Sequence, residues 1–387
     1  MTSNEKTTKA AAPEKAEKAA EPKETKKMTE PEEAEKKIAR EGGKKPEEMT
    51  DRLGEYLKPH LDDYIFDELS DSYLEKAGVL DVMHGVPVPI RKDSITGLTN
   101  VKIAQNMAFV IGCDINFKYR DNYVEYIVRT FTRDFAKPLI NSGIEAAQKS
   151  DFDAAVILFR AALLIDPDST DALYCYGRAC RDSYAGEEGG MDEGYVARYK
   201  AESLEAFEKL TLKAPEFDMG YYFLGYAYLN LGLYQKAKLT FEEFVRLSNR
   251  SDDPAKAEMR AEVLEWLDKL KEPIKIEAAY NKVLSGKFYQ GIEELLPYTE
   301  DERYENWWPL WYYLGYAYRK IGEPKMAEAA YKKVLTLSPS NIDVMRELSE
   351  VYAELGDKEN EAKYIKKIQV VRENIKAERR ERLKKQS

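Results

Sequence analysis

Two histidines, His60 and His84, three cysteines, Cys113, Cys175 and Cys180, and a surplus of carboxylates are the residues of this 387-residue chain that could do chemistry. Histidine titrates near neutrality and is the usual general base or metal ligand. Here the two lie in different segments, and His84 sits beside Gly85 in a proline-rich stretch with no partner group in view, so a plain loop residue is the better reading. Cys175 and Cys180 fall on one helical stretch, where a five-residue step turns side chains about 140° apart and favours buried packing over a metal site or a disulfide. HExxH, a phosphate-binding glycine loop, GxSxG and a paired CxxC do not occur. No catalytic, cofactor-binding or metal-binding residue is assigned. The expectation is a protein that is not an enzyme and needs no cofactor.

Charge and composition narrow the class further. Charged residues make up 34% of the chain and the formal net charge is −10, which argues against a general nucleic-acid binder and for an acidic, soluble protein. A sparse, odd set of cysteines suits a reducing compartment. The N-terminal stretch has no apolar core of the signal-peptide kind and no apolar run is long enough to span a bilayer, so membrane insertion is not expected and a cytoplasmic location is.

The elements follow from apolar spacing. Residues 1 to 50 hold no Phe, Trp or Tyr and are dominated by Lys, Glu, Ala and Pro, too little apolar surface to offset the entropy of ordering, so a disordered tail is expected. Residues 51 to 135 form a mostly helical segment of no assigned family. A broken stripe runs through Leu53, Tyr56, Leu57 and Leu61, then Ile65, Leu69 and Tyr73. Pro87 and Pro89 predict an extended loop or short edge strand, and helices are expected over Val101 to Ile111 and Tyr123 to Phe131. The stretch from Trp311 to Pro339 is the most regular in the chain. Trp311, Leu314 and Tyr318 place one stripe on a first helix, Ala327, Tyr331 and Val334 another on a second, and Gly322 and Pro324 break the chain between them.

Trp311, Leu314, Gly315, Tyr318, Ala327, Tyr331 and Pro339 stand where the tetratricopeptide repeat, a unit of roughly 34 residues, has its large residue, Leu, Gly, Tyr, Ala, aromatic and Pro. The stretch resembles that family. What the resemblance implies is an all-α fold, an α-solenoid of helix-turn-helix repeats in two blocks. Three units are expected in 136 to 251, with an insertion near 181 to 200 read as an exposed loop. A capping or joint helix follows over 252 to 271, beginning at Asp253 and Pro254 and stopping at Pro273. Three further units are expected in 272 to 375, the last of them loose, with Ser349 for Gly and a late Ala362. Residues 376 to 387 form the basic end of the last helix.

In the family, first helices of successive units line a concave groove, partly through repeat positions 5 and 9. Carried over, those positions give a candidate peptide-binding groove of Tyr174, Arg178, Tyr222, Tyr226, Tyr280, Tyr312 and Tyr316, beside Ile140, Ile144, Ile276, Arg346 and Glu350. Tyrosine offers a large contact area with a polar tip and little rotamer entropy to lose. The lysine and asparagine that clamp acidic chaperone tails in one subgroup are replaced by Ile140 and Ile144. Arg178, Arg181, Arg319 and Lys320 remain as basic points that could accept an acidic peptide group. The resulting reading is a non-enzymatic scaffold or adaptor holding a peptide or helix of a protein partner. The alternative is a small ligand-binding or catalytic unit in 51 to 135 that the repeats deliver to a target.

Overall fold

The computed structural model describes residues 49–93, 98–185 and 193–386. The expected disordered tail lies outside the described residues except for its last two positions. The chain is an all-α solenoid of antiparallel helix pairs preceded by a small, mostly helical segment, and it divides into two compact units, one ending at Lys213 and the other beginning at Ala214.

In the first unit a short helix α1 (Gly54–Leu57) and a 3₁₀ turn lead into β1 (Tyr64–Glu68), α2 (Asp71–Ala77), α3 (Leu80–Met83), β2 (Pro87–Arg91), α4 (Asn100–Cys113) and α5 (Arg120–Phe131). The helical stripe expected through Ile65 is in fact interrupted by a strand. Tyr64 and Phe66 are buried and Asp67 is exposed, the two-residue alternation of β structure. Tyr64 to Glu68 pair antiparallel with Arg91 to Pro87. The two prolines of β2 donate no N–H, and their carbonyls are tied to the helices instead, Pro87 accepting from the Tyr123 hydroxyl at 2.6 Å and Pro89 from the Asn106 amide at 3.1 Å.

Two helix pairs follow, α6 (Ala136–Gln148) with α7 (Phe152–Ile165) and α8 (Thr170–Ala185) with α9 (Glu193–Lys213). The inserted residues that are described lengthen α8 and α9, and the loop expected between them falls on 186–192, outside the described residues. The segment 51 to 135 is not a separable body, because its core runs without a break from Leu53 through Ile111 and Tyr126 into Phe159 and Ala206. Helix α4 meets α7 so closely that a β-carbon on Gly112 would lie 2.2 Å from the Ile157 carbonyl oxygen. The chain just before α1 is pinned to the second helices of both pairs. Asp51 pairs with Arg160 of α7 at 2.8 Å, both side chains nearly enclosed, and its same oxygen caps the amides of Leu53 and Gly54. Arg52 reaches Glu202 and Glu205 of α9 at 2.9 and 2.6 Å.

The second unit holds α10 (Asp218–Asn230) with α11 (Tyr234–Ser248), a single helix α12 (Pro254–Lys269), then α13 (Lys271–Leu284) with α14 (Phe288–Leu295), α15 (Trp308–Lys320) with α16 (Pro324–Leu337), and α17 (Ile342–Glu354) with α18 (Lys358–Gln386). Asp253 caps α12 through the Ala255 amide, with Pro254 at its first position as expected. Pro273 does not stop that helix. The break falls at Leu270, and Pro273 sits in the first turn of α13, where its missing N–H costs no helical bond.

One contact explains why the pairs are so close. In four of them the first helix carries a glycine against an aromatic ring of the second: Gly143 on Phe159, Gly177 on Phe207, Gly225 on Phe241 and Gly315 on Tyr331. A β-carbon on Gly315 would stand 2.7 Å from two atoms of the Tyr331 ring, which is fully buried. The turn between helices needs a left-handed residue, supplied by Gly322 (φ 81°) in the α15/α16 pair and by Ser150 (φ 62°) in the first pair. The last pair lacks this contact. Ser349 and Ile365 occupy the two places, Ile365 is 45% exposed, and the late Ala362 is exposed rather than packed.

Candidate functional site

Side chains four apart on a helix lie on one face, so repeat positions 5 and 9 stack in pairs. On α10 the rings of Tyr222 and Tyr226 are 5.0 Å apart, and each also packs on α11, Tyr222 against Phe244 and Tyr226 against Phe241. Both hydroxyls donate to Glu262 of α12, Tyr222 at 3.2 Å. Burial first, and then the bond to Glu262, raise the Tyr226 phenol well above its ordinary pKa. Helix α12 therefore already supplies the polar partner of this pair.

Tyr280 of α13 is engaged in a different way. Its hydroxyl donates to the Gly232 carbonyl at 3.2 Å, and its ring stacks on Tyr313 at 4.4 Å with planes 12° apart. Beside it, buried Glu277 accepts from the Gln235 backbone N–H at 2.7 Å, which ties α13 to the first turn of α11. Tyr312 and Tyr316 of α15 differ from all three. Both are half-buried, Tyr312 against the rings of Tyr313 and Tyr331, and Tyr316 near Phe288 with the Lys320 ammonium 5.2 Å over its face. Among the described residues, neither hydroxyl has a hydrogen-bond partner. Tyr174 and Arg178 belong to the first unit, with the guanidinium 5.6 Å over the tyrosine ring. The structure thus brings Tyr222 with Tyr226, and Tyr280 with Tyr313 and its neighbour Tyr312, while Tyr174 and Arg178 lie in the other unit.

The electrostatics around α15 run opposite to the sequence expectation. Arg319 is not a basic point open to a ligand. Its guanidinium is 15% exposed and is held by three glutamates of α17, Glu347 at 2.8 Å, Glu350 at 2.6 Å and Glu354 at 2.8 Å. Three carboxylates around one cation leave this face acidic. Burial and then the negative charge of Glu347 raise the Tyr312 phenol. No spacing rule links Arg319 to glutamates on the next helix pair, so the sequence offered no signal for the cluster. The tryptophans at the entrance to α15 divide their roles. Trp307 lies 6.5 Å from the Tyr234 ring, Trp311 donates its indole N–H to the Glu305 carbonyl at 2.7 Å, and Trp308 is 39% exposed.

The histidines and cysteines form no shared site. His60 pairs with Asp153 at 3.5 Å and His84 with Asp71 at 3.0 Å. Cys113 and Cys180 are buried, and burial pushes both thiols up, away from the reactive thiolate. Among the described residues, no three His, Cys, Asp or Glu side chains are placed to hold a metal ion, and no helix is long and apolar enough to cross a membrane.

Two stretches match the tetratricopeptide repeat family, residues 308–341, which hold α15 and α16, and residues 220–250, which hold most of α10 and all of α11. The chain contains tetratricopeptide repeats. Solved structures similar to it include MamA, 18% identical over 62% of this chain and 93% of that one with a TM-score of 0.25. The tetratricopeptide domain of P58(IPK) is 13% identical over 86% of this chain and 80% of that one, with a TM-score of 0.41. YrrB, described as a repeat protein with an unusual peptide-binding site, is 15% identical over 64% and 91%, with a TM-score of 0.25. At overlaps this low they transfer neither a site nor a partner. No curated protein sequence matches the chain.

Proposed function

We propose that this tetratricopeptide repeat protein is a non-enzymatic interaction scaffold that holds a segment of a partner protein across the first helices α15 and α17, anchored on Tyr312 and Tyr316. The observation that carries this reading is the contrast among the candidate tyrosines. Tyr222, Tyr226 and Tyr280 spend their hydroxyls on Glu262 and Gly232 of the same chain, whereas Tyr312 and Tyr316 present half-exposed rings whose hydroxyls are unspent among the described residues. A large aromatic surface with a polar tip is the usual energetic centre of a peptide or helix interface. The glutamates around Arg319 set the partner's charge. An apolar or aromatic segment with neutral or basic flanks fits, and an acidic tail would meet like charge.

Affinity capture from native lysate tests the reading. Replacing both Tyr312 and Tyr316 by Ala should weaken capture at least about thirtyfold, the loss expected for one strong anchor. Tyr222→Phe with Tyr226→Phe, which removes only the bonds to Glu262, should leave it intact. Unchanged capture by a normally helical Tyr312→Ala/Tyr316→Ala protein would remove the assignment.

A further inference from the structure

A second surface of opposite character lies at the end of the chain's last pair. Helices α16, α17 and α18 surround an open groove of about 740 Å³. Its floor is apolar, built from Leu335 at the end of α16, Met345 of α17 and Val371 of α18, with Pro339 at one end. Its rim on α18 carries Lys363, Lys366 and Lys367 against a single acid, Glu359. One turn earlier Lys358 pairs with Glu361, but among the described residues none of the three rim lysines has an ion-pair partner, and Lys367 lies 4.9 Å over the Tyr364 ring. Ala362 and Val370 face outward into the groove, Val370 at 46% exposure.

We propose that this groove docks an acidic amphipathic segment of a partner protein, with two or three aliphatic side chains on the Leu335, Met345 and Val371 floor and carboxylates on the lysine rim. The inference does not rest on the tyrosine face, which is a different surface with the opposite charge. The groove's volume is within the roughly 300–1,000 Å³ of protein clefts that enclose ligands of several side chains' bulk. Charge fits the assignment. In a chain of net charge −10, three unpaired lysines on one helical turn and a half are a local inversion, and α18 continues from Arg372 to Gln386 with seven basic and three acidic residues. The apolar floor separates a protein partner from the other polyanions. Phosphates of a nucleic acid could satisfy the lysines but would leave Leu335, Met345 and Val371 facing water. A lipid headgroup layer is flat and would reach the rim without filling the groove. A helix with anchors at i, i+3, i+4 and i+7 satisfies both at once.

The test uses the full-length protein and a fluorescein-labelled peptide of about 16 residues, between four and five helical turns, with Leu at that spacing and Glu at most other positions. Saturable binding is expected. It should fall at least about tenfold in the Lys363→Glu/Lys366→Glu/Lys367→Glu protein, and similarly for the wild-type protein when the peptide's leucines become serines. It should be unchanged in Tyr312→Ala/Tyr316→Ala, which separates this groove from the tyrosine face. Thermal melts by circular dichroism confirm that the variants stay folded, and a Leu335→Gln variant, which makes a half-buried floor position polar without touching the rim, should weaken binding in the same way. No saturable binding by wild-type protein, equal binding of a Lys-for-Glu peptide, or insensitivity to the lysine changes would overturn the proposal. So would a uridine oligonucleotide or phosphatidylserine vesicle that binds through the same lysines while the peptide does not.

Discussion

Gly112→Ala adds one methyl group where α4 meets α7, and the result is calculable from the contact. The new β-carbon would sit 2.2 Å from the Ile157 carbonyl oxygen, 2.9 Å from its Cγ2 and 3.0 Å from its carbonyl carbon. Unstrained contacts between heavy atoms lie near 3.5 Å, so the two helices must part by roughly 1 Å at this point. The nearest obstacle is main chain, which no rotamer change can move. Parting the helices also loosens Met107, Ala108, Val110 and Ile111, all fully buried in the shared core. Overpacking of this kind costs about 1–3 kcal/mol, and a backbone obstacle puts it near the top of that range. Against it stands the better helix propensity of alanine, worth about 1 kcal/mol. The net expectation is a loss of about 2 kcal/mol, read by urea unfolding, with faster amide exchange in α4 and α7. Trimming Ile157 to Val should give no rescue, because the clash is with its carbonyl. A stability change within about 0.5 kcal/mol, or the gain that propensity alone predicts, would refute the claim that residues 51 to 135 are built into the first repeat.

Arg319→Gln should destabilise the second unit by about 1–3 kcal/mol at neutral pH, since Glu347, which also accepts from the Tyr331 hydroxyl at 3.2 Å, is left beside Glu350 and Glu354 without a cation; the deficit should shrink in acid, and a deficit independent of pH would count against the cluster. His60 is held above its ordinary pKa of 6.5 by its bond to Asp153, burial opposing, so its contribution is complete below that value and disappears as pH rises through the folded-state pKa. His60→Gln should therefore cost more at about pH 5.5 than at about pH 8, by less than about 1 kcal/mol for a side chain that is 38% exposed, and equal costs at the two pH values would contradict it.

What could be read from the residues was local. The steps from Trp311 to Leu314 to Tyr318 and from Ala327 to Tyr331 to Val334 mark two buried stripes, and α15 and α16 bury Leu314, Ala327, Tyr331 and Val334 as that spacing requires. In the uninterrupted pairs the small residue on one helix and the ring on the next are separated by 16 residues, so Gly315 with Tyr331, or Gly225 with Phe241, is visible without a structure, whereas the insertion moves Phe207 to 30 residues from Gly177. Contacts across long stretches left no such mark. Asp51 and Arg160 are 109 residues apart, and nothing near either residue announces that they form a nearly enclosed pair. Pro273 was ambiguous by its chemistry, because the missing N–H that ends one helix is equally at home in the first turn of the next. The candidate groove was legible as positions but not as contacts. Spacing puts Tyr222, Tyr226, Tyr280, Tyr312 and Tyr316 on first helices, yet only the arrangement of α12 and of the Gly232 turn decides which hydroxyls are already bonded.

The most direct test of the scaffold reading is hydrogen exchange on the full chain with and without its captured partner. Slowed exchange in Trp308–Lys320 and Ile342–Glu354, abolished by Tyr312→Ala/Tyr316→Ala, is the predicted result. Protection confined to other helices, or identical protection in the variant, would contradict it.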